Sequence, residues 1–348
     1  MKICFKIVLK TLVAIFCVGF ILFFVYFFIG QPKPAEKINW GVNFSQKHAQ
    51  YLGLDWKETY LALLNDLGVK NLKIAAYWDL IEPEEGKYNF EDLDWQIKKV
   101  EEKGAKLILV IGMKVPRWPE CHEPDWIKNK ELRIKNKKLL EYIEKVVDRY
   151  KNLLAIRAWQ VENEPFFFFG ECPSFDKELL KKEIDLVKSI DTQKRPIIIS
   201  ESGEFSSWIR AAKAGDIIGI TMYRKVWFTL PNFLKKNLGG LKELGFYVSY
   251  PFPPIFYWRK AQLIKNIFGK KVICIELQAE PWGPRLLYDL SLEEQEKTMD
   301  LKQFQKNIEF AKKTGLDEIY LWGAEWWYWL KTKQNQPEIW QEAKKLFP

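Results

Sequence analysis

From Ile38 onward the chain repeats one pattern: a short apolar run, an irregular loop rich in aromatic residues, and a charged amphipathic helix. The apolar runs, such as KLILVIG and KVICIEL, are nearly continuous. Strands of this kind alternating with helices are typical of a parallel sheet that is covered on both faces. We find eight repeats, from INWGVNF to EIYLWG, and they predict an α/β fold, a (β/α)8 barrel, over residues 38–348.

The alternative architecture is a doubly wound open sheet. Such a sheet usually places a glycine-rich phosphate loop after its first strand, and INWGVNF is not followed by one. A barrel is therefore the better prediction, and its chemistry is expected where the strands end. The residues predicted at these ends are mostly carboxylates and aromatics: Phe44, Trp78, Trp118, Glu164, Glu201, Tyr223, Glu276 and Trp322.

Two parts of the predicted barrel depart from the simple repeat. The segment Val226–Trp258, after the sixth strand, is longer than an ordinary loop. After the seventh strand we expect one long helix, whose start is marked by the capping box of Ser291 and Glu294.

The N-terminus has the composition of a membrane segment. Lys2, Lys6 and Lys10 precede an uncharged run over residues 11–30, which approaches the ~20 residues that span a bilayer. Basic residues before the span predict a cytoplasmic N-terminus, with everything after Gln31 outside the cytoplasm. The lipid bilayer is thus a predicted partner of residues 11–30.

The alternative reading of this segment is a cleaved signal peptide, which would make the protein secreted. No small-x-small cleavage site follows Phe28, so a single-pass membrane anchor is favoured. The predicted organisation is a signal-anchor transmembrane helix over residues 1–30, a polar linker over residues 31–37, and the catalytic barrel over residues 38–348.

Charge and motif content exclude several classes of function. Lys+Arg total 54 against Asp+Glu 45, but the charges alternate along helices, as in KKVEEKG, so we expect no nucleic-acid partner. His48 and His122 are the only histidines, and there is no HExxH or paired-cysteine motif, so no metal or other cofactor is predicted. No G-x-S-x-G nucleophile elbow is present. We expect a monomer.

A carboxylate cluster is the chemistry that remains. The stretch AWQVENEPFFFFG places Glu162 and Glu164 at the end of the fourth strand, and Glu276 ends the seventh. Two carboxyl groups across an aromatic cleft suit glycosidic bond cleavage, because one protonates the leaving oxygen while the other attacks the anomeric carbon. The 16 Trp fit this chemistry, since the apolar C–H face of a sugar can lie on an aromatic ring.

These motifs resemble those of clan A glycoside hydrolases, the retaining (β/α)8 enzymes with cellulase-like and β-galactosidase-like members. WQVENEP is similar to the clan's fourth strand, which implies Glu164 as general acid/base and Asn163 as a ligand of the sugar 2-hydroxyl. KVICIELQAEPWG is similar to the seventh strand and implies Glu276 as nucleophile. Tyr223 matches the aromatic residue that hydrogen-bonds the nucleophile, and Trp322 matches the tryptophan under the bound sugar. The similarity covers essentially everything after the linker.

One position departs from the clan's pattern. Members usually carry an arginine on the second strand that supports the nucleophile, and the matching residue here is Lys73 in NLKIAAYW. Lysine offers a point charge where arginine offers a bidentate fork. Either Arg117 or Arg224 compensates, or the nucleophile is tuned differently.

Further residues are candidates for the same cleft. Besides Asn163, Tyr223 and Trp322, the predicted substrate-binding residues are Trp78, Trp118, Trp282, Glu325 and Lys73. Glu280 is another candidate for binding substrate hydroxyls, and Glu201 and Glu204 are candidates for lining the cleft. Glu162 is predicted to point to the same side as Glu164, one layer deeper, as a buried hydrogen-bonded partner.

Two cysteines fall in polar loops. Cys121 follows the third predicted strand and Cys172 the fourth, and consecutive loops on one face of a barrel are neighbours. They are predicted to form a disulfide in an oxidising compartment, with two free thiols as the alternative. Cys274 lies in an apolar run and is expected in the core.

Three functions follow from these observations. The first is a membrane-anchored retaining glycoside hydrolase that cleaves a β-linked oligo- or polysaccharide through a covalent intermediate, with Glu164 and Glu276 ~5 Å apart. The second is an envelope transglycosylase using the same site, with an aromatic acceptor subsite in Val226–Trp258. The third is a non-catalytic glycan-binding barrel, which rests only on the departure at Lys73.

Overall fold

The computed structural model describes residues 2–174, 176–229 and 244–347. Its strands are β1 (Asn39–Phe44), β2 (Asn71–Ala75), β3 (Lys106–Ile111), β4 (Ile156–Val161), β5 (Ile197–Glu201), β6 (Ile217–Met222), β7 (Lys225–Thr229), β8 (Gly245–Ser249), β9 (Lys271–Gln278) and β10 (Glu318–Trp322). Its helices are α1 (Lys2–Phe28), α2 (Gln46–Tyr51), α3 (Trp56–Asn65), α4 (Trp78–Ile81), α5 (Glu91–Glu102), α6 (Leu132–Tyr150), α7 (Lys177–Ile190), α8 (Ile209–Ala214), α9 (Pro254–Phe268), α10 (Leu292–Glu296), α11 (Leu301–Lys312), α12 (Ala324–Lys333) and α13 (Glu338–Lys344).

Eight strands close into a parallel barrel in the order β1-β10-β9-β6-β5-β4-β3-β2. The ring is closed by β1 and β10, whose register runs from Asn39 opposite Glu318 to Val42 opposite Leu321. The predicted (β/α)8 barrel is therefore confirmed. Its carboxyl-terminal end, where β4 and β9 deliver their carboxylates, is called the catalytic end below.

The barrel has two apolar layers that follow from strand alternation. Its interior is filled by a small cluster: Ile108, Ala158, Ile198, Ile273, Ile275 and Tyr320. The other face of each strand packs outward against the helices, so both faces of the sheet are buried. Gly41 sits where β1 meets the Tyr320 ring, and a Cβ there would lie 2.5 Å from that ring. Glycine at this position lets the barrel close around a large aromatic residue.

Two helical segments differ from the expectation. The single long helix predicted after the seventh strand is wrong: it is divided into α10 and α11, because Asp300 accepts from the Gln303 N–H and caps a new helix. The predicted cap at Ser291 is present, and its side chain accepts from the Glu294 N–H. After β10, the helix α12 forms where no helix was expected. It begins at Ala324, directly after its N-cap residue Gly323.

The N-terminal helix is apolar over Leu9–Phe28, long enough to be a transmembrane anchor or a signal sequence. Its side chains from Leu9 to Val25 are exposed, and its last turn packs on the barrel. The Phe28 ring lies 5.7 Å from the ring of Phe256 at the start of α9.

The long segment after the sixth barrel strand contains a hairpin and a helix. β7 and β8 pair antiparallel, from Lys225 opposite Ser249 to Thr229 opposite Gly245, and α9 begins at Pro254. Residues 230–243, part of the predicted acceptor subsite, lie outside the described residues.

Cys121 and Cys172 form a disulfide that joins the loops after β3 and β4. Their Cα atoms are 5.3 Å apart, across a sequence separation of 51. Both loops contribute residues to the catalytic end, so the bond fixes one side of it.

We predict that replacing both Cys121 and Cys172 by Ser lowers the free energy of unfolding by about 2–4 kcal/mol, because the unfolded chain regains the freedom of a long loop. Urea unfolding monitored by tryptophan fluorescence measures the loss. Wild-type protein unfolded under reducing conditions should show the midpoint of the double variant, and the variant itself should be insensitive to reductant. Equal midpoints for oxidised wild type and the variant would contradict the prediction.

Candidate active site

Glu276 faces the barrel axis because β9 is irregular. Ile273 and Ile275 fill the barrel interior, while Cys274 and Leu277 pack outward against the helices. Strict alternation would turn Glu276 outward with Cys274. The register of β9 shifts at this point against both β6 and β10. The resulting bulge lets two successive side chains point inward, which is how bulges re-aim functional residues.

Both carboxylate oxygens of Glu276 have donors. The Lys73 ammonium lies 2.8 Å from Oε1, and the Tyr223 hydroxyl donates to Oε2 at 3.2 Å. Lys73 is almost completely buried, so this ion pair is screened little by solvent. Lys73 thus takes the supporting position itself. The suggestion that Arg117 or Arg224 compensates is wrong, because Arg117 pairs with other carboxylates and Arg224 donates to backbone carbonyls.

Tyr223 is held in turn by Glu204. The Glu204 Oε1 atom accepts from the Tyr223 N–H at 3.1 Å and from the Tyr257 hydroxyl at 2.6 Å. Burial raises the pKa of Glu204 to about 7, although these donors oppose the rise. Glu204 therefore lies in contact with the site, whereas Glu201 accepts from Ser206 outside it, and the expectation that Glu201 lines the cleft is wrong.

Glu164 follows β4 in an unusual backbone conformation. Its φ of 42° lies in the left-handed region that few residues other than glycine adopt. Its N–H donates to the Ser200 hydroxyl at 2.8 Å, and the Thr221 hydroxyl donates to its Oε1 at 3.3 Å. The buried Lys114 ammonium donates to its carbonyl oxygen at 3.1 Å. Contacts from three strands or their loops thus fix one strained residue, as is typical of functional sites.

The environment of Glu164 favours its protonated form. Burial raises the pKa of Glu164 to about 8, and the neighbouring carboxylates of Glu276 and Glu120 add to the rise. Glu276, by contrast, faces a buried ammonium. Two carboxyl groups with such different surroundings can divide the roles of acid and nucleophile.

Glu120 is a site residue that the sequence did not reveal. Its Oε2 accepts from the Asn163 amide at 3.0 Å, and the Gln160 amide donates to Asn163 Oδ1 at 3.1 Å. Burial raises the pKa of Glu120 to about 7, and Glu276 adds to the rise while Asn163 opposes it. Glu120 lies in the irregular loop after β3, where strand periodicity gives no signal. A contact of Asn163 with the sugar 2-hydroxyl stays a prediction.

Glu162 is a buried hydrogen-bonded partner, as expected, but its direction was predicted wrongly. Its carboxylate accepts from the N–H groups of Met113 and Lys114 at 2.8 and 2.7 Å. Burial and the adjacent Glu162 carboxyl raise the pKa of Glu183, on α7, well above its usual range. Glu162 has a φ of 59°, so the extended alternation of β4 ends before it and the side chain turns toward α7.

Glu325 is held by donors of the protein, and a contact with substrate stays a prediction. Its side chain exposes no surface, and its oxygens accept from the Ser45 N–H and from Arg117. Arg117 also donates to both oxygens of Glu280. Although burial alone would raise it, the pKa of Glu280 falls to about 2 beside Arg117 and His48. The buried side chains of Arg117, Glu280 and Glu325 thus form an ion-pair cluster next to Trp322.

The predicted aromatic residues divide into core and rim. Trp78 is wrong as a substrate contact, because it is fully buried and stacks on Tyr142 at 5.5 Å. Trp322 lies in the site with the Arg117 guanidinium 4.0 Å above its ring. Trp118 is 41% exposed and belongs to the rim.

A chain of aromatic rings leads along this rim to Tyr223, which contacts Glu276. The Phe169 ring lies 6.1 Å from Trp118 and 5.7 Å from Trp282, and Trp282 lies 5.0 Å from Tyr223. Phe169 belongs to the phenylalanine run after Glu164. These rings form a wall that suits the apolar face of a sugar.

A separate cavity of about 220 Å³ lies beside the site, between the loop after β4 and helices α6 and α7. It is lined by Glu162, Phe166, Phe168, Leu179 and Glu183, but not by Glu164 or Glu276. The reaction is therefore not placed there. Within residues 2–174, 176–229 and 244–347, no three His, Cys, Asp or Glu side chains are grouped to hold a metal ion.

The fold and the carboxylate pair together define the class: a (β/α)8 barrel with the active-site layout of the clan A glycoside hydrolases. Comparison with known proteins confirms this resemblance. The family model for the β-galactosidases of glycoside hydrolase family 42 matches residues 50–178, which include Lys73 and Glu164. Beta-galactosidase BgaA of Clostridium cellulovorans is 25% identical over 167 residues, which are 42% of this chain and 25% of that protein.

Solved structures agree on the fold. The β-galactosidase of the haloarchaeon Halorubrum lacusprofundi gives a TM-score of 0.55 at 14% identity, over 82% of this chain and 52% of that chain. GH5_18 from Streptomyces cattleya, solved with GlcNAc, gives 0.57 at 13% identity, over 83% and 71%. The chain thus spans a quarter of the clostridial relative and about half of the haloarchaeal one.

Removing the buried ammonium should expose the coupling of Lys73 to Glu276. We predict that Lys73→Met lowers the free energy of unfolding by about 3–5 kcal/mol, because it leaves a buried carboxylate without its partner. Combining it with Glu276→Gln should recover most of the loss, since neither charge then remains. Urea unfolding of the three variants measures the coupling, and strictly additive losses would show that it is absent.

The raised pKa of Glu164 predicts a pH-dependent cost to stability. The folded protein holds this proton until pH about 8, whereas the unfolded chain releases it near 4.5, so stability falls between these values. Glu164→Gln should therefore gain stability over wild type as pH rises from 5 to 8.5, by about 4 kcal/mol. Thermal unfolding at both pH values tests this. The exposed Glu144→Gln is the control, and an equal response of the two variants would refute the assignment.

Proposed function

We propose that this protein is a retaining glycoside hydrolase of β-linked glycans, with Glu164 as acid/base and Glu276 as nucleophile. The observation that carries the proposal is the contrast between the two carboxyl groups. The Glu164 carboxyl is buried, accepts from the neutral Thr221 hydroxyl and has a pKa raised to about 8, while Glu276 is paired with Lys73 and Tyr223. Such a contrast is what double displacement requires.

In the first step, an oxygen of Glu276 attacks the anomeric carbon, and the bond from that carbon to the leaving oxygen breaks. The proton of Glu164 passes to the leaving oxygen, which departs as an alcohol. As the Glu276–sugar ester forms, the carboxylate loses the negative charge that faces the Lys73 ammonium. The hydrogen bond from the Tyr223 hydroxyl holds the carboxyl group in place during this step.

In the second step, Glu164 is ionised and takes a proton from water. The resulting hydroxide equivalent attacks the anomeric carbon, and the ester bond to Glu276 breaks. The products are the free sugar in its original anomeric configuration and the enzyme with Glu164 protonated again. Because the pKa of Glu164 is raised to about 8, this residue can donate a proton in the first step and accept one in the second near neutral pH.

The substrate proposal follows from the rim and from the family match. The aromatic wall of Trp118, Phe169, Trp282 and Tyr223 suits pyranosides, and the match of residues 50–178 makes β-galactosides the first substrates to test. A non-catalytic glycan-binding barrel was suggested only by the departure at Lys73. That support is removed, because the Lys73 ammonium contacts Glu276 directly.

We further propose that α1 anchors the protein in a membrane and that the barrel works outside the cytoplasm. The uncharged run over residues 11–30 and the lysines before it support this orientation. The disulfide between Cys121 and Cys172 fits the same side, since such bonds persist in oxidising compartments.

Replacement of each carboxyl group should give a different kinetic result. Glu276→Gln should lower kcat/KM by at least about 10⁴-fold on every substrate, because no covalent step remains. Glu164→Gln should lower it by about 10²–10⁴-fold for glycosides with basic leaving groups and much less for dinitrophenyl glycosides, which need no proton. Initial rates on a series of aryl β-glycosides measure both effects. Glu201→Gln, a buried carboxyl outside the site, is the matched control and should keep near wild-type rates.

The pH profile should identify the acid. We predict that kcat/KM on basic leaving groups falls as pH rises through about 8, because Glu164 then loses the proton it must donate. Glu164→Gln should lack this alkaline limb. A limb that persists unchanged in that variant would assign the acid to another group.

A further inference from the structure

The N-terminal helix meets the barrel at its catalytic end. α9 leads into the start of β9, so its first turn lies at the end where the barrel strands finish. That turn receives α1: the Phe28 ring lies 5.7 Å from Phe256 and 6.3 Å from Phe252, and Ile255 packs beside Gly30. The membrane segment therefore leaves the barrel next to the active site.

The contact between α1 and the barrel is extensive for a helix end. The Phe27 ring lies 5.9 Å from Phe256, and the Arg259 guanidinium lies 4.7 Å from the Tyr26 ring. After the helix, the backbone of Lys33 lies against Gly315, so the linker follows the barrel wall. These contacts set the position of the barrel relative to the helix.

Arg224 connects this contact to the site. It follows Tyr223, the donor to Glu276, and its guanidinium donates to the carbonyl oxygens of Tyr250 and Phe252 at 3.0 and 3.1 Å. Phe252 is one of the two rings on which Phe28 packs. The active site and the exit of the membrane helix thus share one short, hydrogen-bonded segment.

Exposed aromatic rings extend from the same segment. Phe205 is 61% exposed, and its ring lies 5.2 Å from Tyr250 and 6.2 Å from Phe252. In the adjoining β7–β8 hairpin, Phe228 and Phe246 are 45% and 51% exposed and contact each other at 5.6 Å. We call these five residues the aromatic ridge. Two groups of aromatic rings with exposed members on adjoining segments indicate an interaction surface, and aromatic rings favour the membrane interface.

We propose that the aromatic ridge rests on the bilayer that α1 spans, and that the substrate is a β-glycoside whose aglycone is a lipid of that bilayer. The inference rests on the proposed glycosidase function and adds the substrate class. The sugar of such a lipid lies at the membrane surface, close to the point where α1 leaves the bilayer. The catalytic end of the barrel lies at the same point, because the end of α1 packs there. Bilayer contact at the ridge explains why aromatic side chains remain exposed next to the helix.

The test uses the full chain reconstituted in phosphatidylcholine vesicles. One substrate is a dialkylglycerol β-glycoside in the vesicle, and the other is the methylumbelliferyl β-glycoside of the same sugar in solution. The sugar is the one hydrolysed fastest in a screen of aryl glycosides. We expect Phe205→Ser with Phe246→Ser to lower hydrolysis of the lipid glycoside by about tenfold, because less apolar surface enters the interface, and to leave the soluble substrate unchanged.

Leu154→Ser with Ile267→Ser is the matched control. These residues are 70% and 67% exposed but lie at the opposite end of the barrel, before β4 and at the end of α9, so neither rate should change. Equal rates of wild type and the ridge variant on the lipid glycoside would overturn the inference while leaving the glycosidase intact. Failure to hydrolyse any glycoside in the screen would instead refute the proposed function.

A second measurement reports the position of the ridge without catalysis. An environment-sensitive fluorophore is attached at Phe205→Cys, in a chain with Cys4 and Cys17 replaced by serine. Its emission should shift to the blue in vesicles and be quenched by brominated lipids, whereas a label at Leu154→Cys should show neither effect. Identical responses at the two positions would contradict contact between the ridge and the bilayer.

Discussion

The buried ion pair between Lys73 and Glu276 is the interaction on which the site depends. It joins β2 to β9 across the barrel axis, at 2.8 Å and nearly out of contact with solvent. A buried carboxylate without a partner is strongly unfavourable, so the pair makes the buried Glu276 carboxylate compatible with the core. The ion pair depends on the bulge in β9, since regular alternation of the strand would turn Glu276 away from Lys73.

The second carboxyl group, Glu164, has the opposite kind of surroundings. Glu164 receives hydroxyl and backbone contacts, while the nearby Glu120 and Glu276 oppose its ionisation. Burial therefore places Glu276 beside a cation and a hydroxyl donor, whereas it favours the protonated form of Glu164. The raised pKa of Glu164 and its left-handed backbone are both unfavourable for folding. The large barrel core and the disulfide beside the site offset these costs.

The sequence predicts the barrel well because its signal is repeated: each apolar strand and amphipathic helix reports the same architecture. It also indicates Glu164, Glu276 and Tyr223, since they occupy strand ends that resemble a known family. It fails where direction depends on backbone irregularities. Glu162 turns away because its φ is positive, and Trp78 enters the core because α4 begins there. Glu120 has no periodic signal, as it lies in a loop shaped by tertiary contacts.

The proposed double displacement requires Glu276 to form a covalent bond to the sugar. The most direct measurement is peptide mass mapping after incubation with a dinitrophenyl 2-deoxy-2-fluoro-β-glycoside of the sugar that the protein hydrolyses, because fluorine slows release of the intermediate more than its formation. We expect one added sugar on the peptide that contains Glu276, and none in Glu276→Gln. A protein that hydrolyses glycosides but gives no adduct, or carries it on another residue, would rule out Glu276 as the nucleophile.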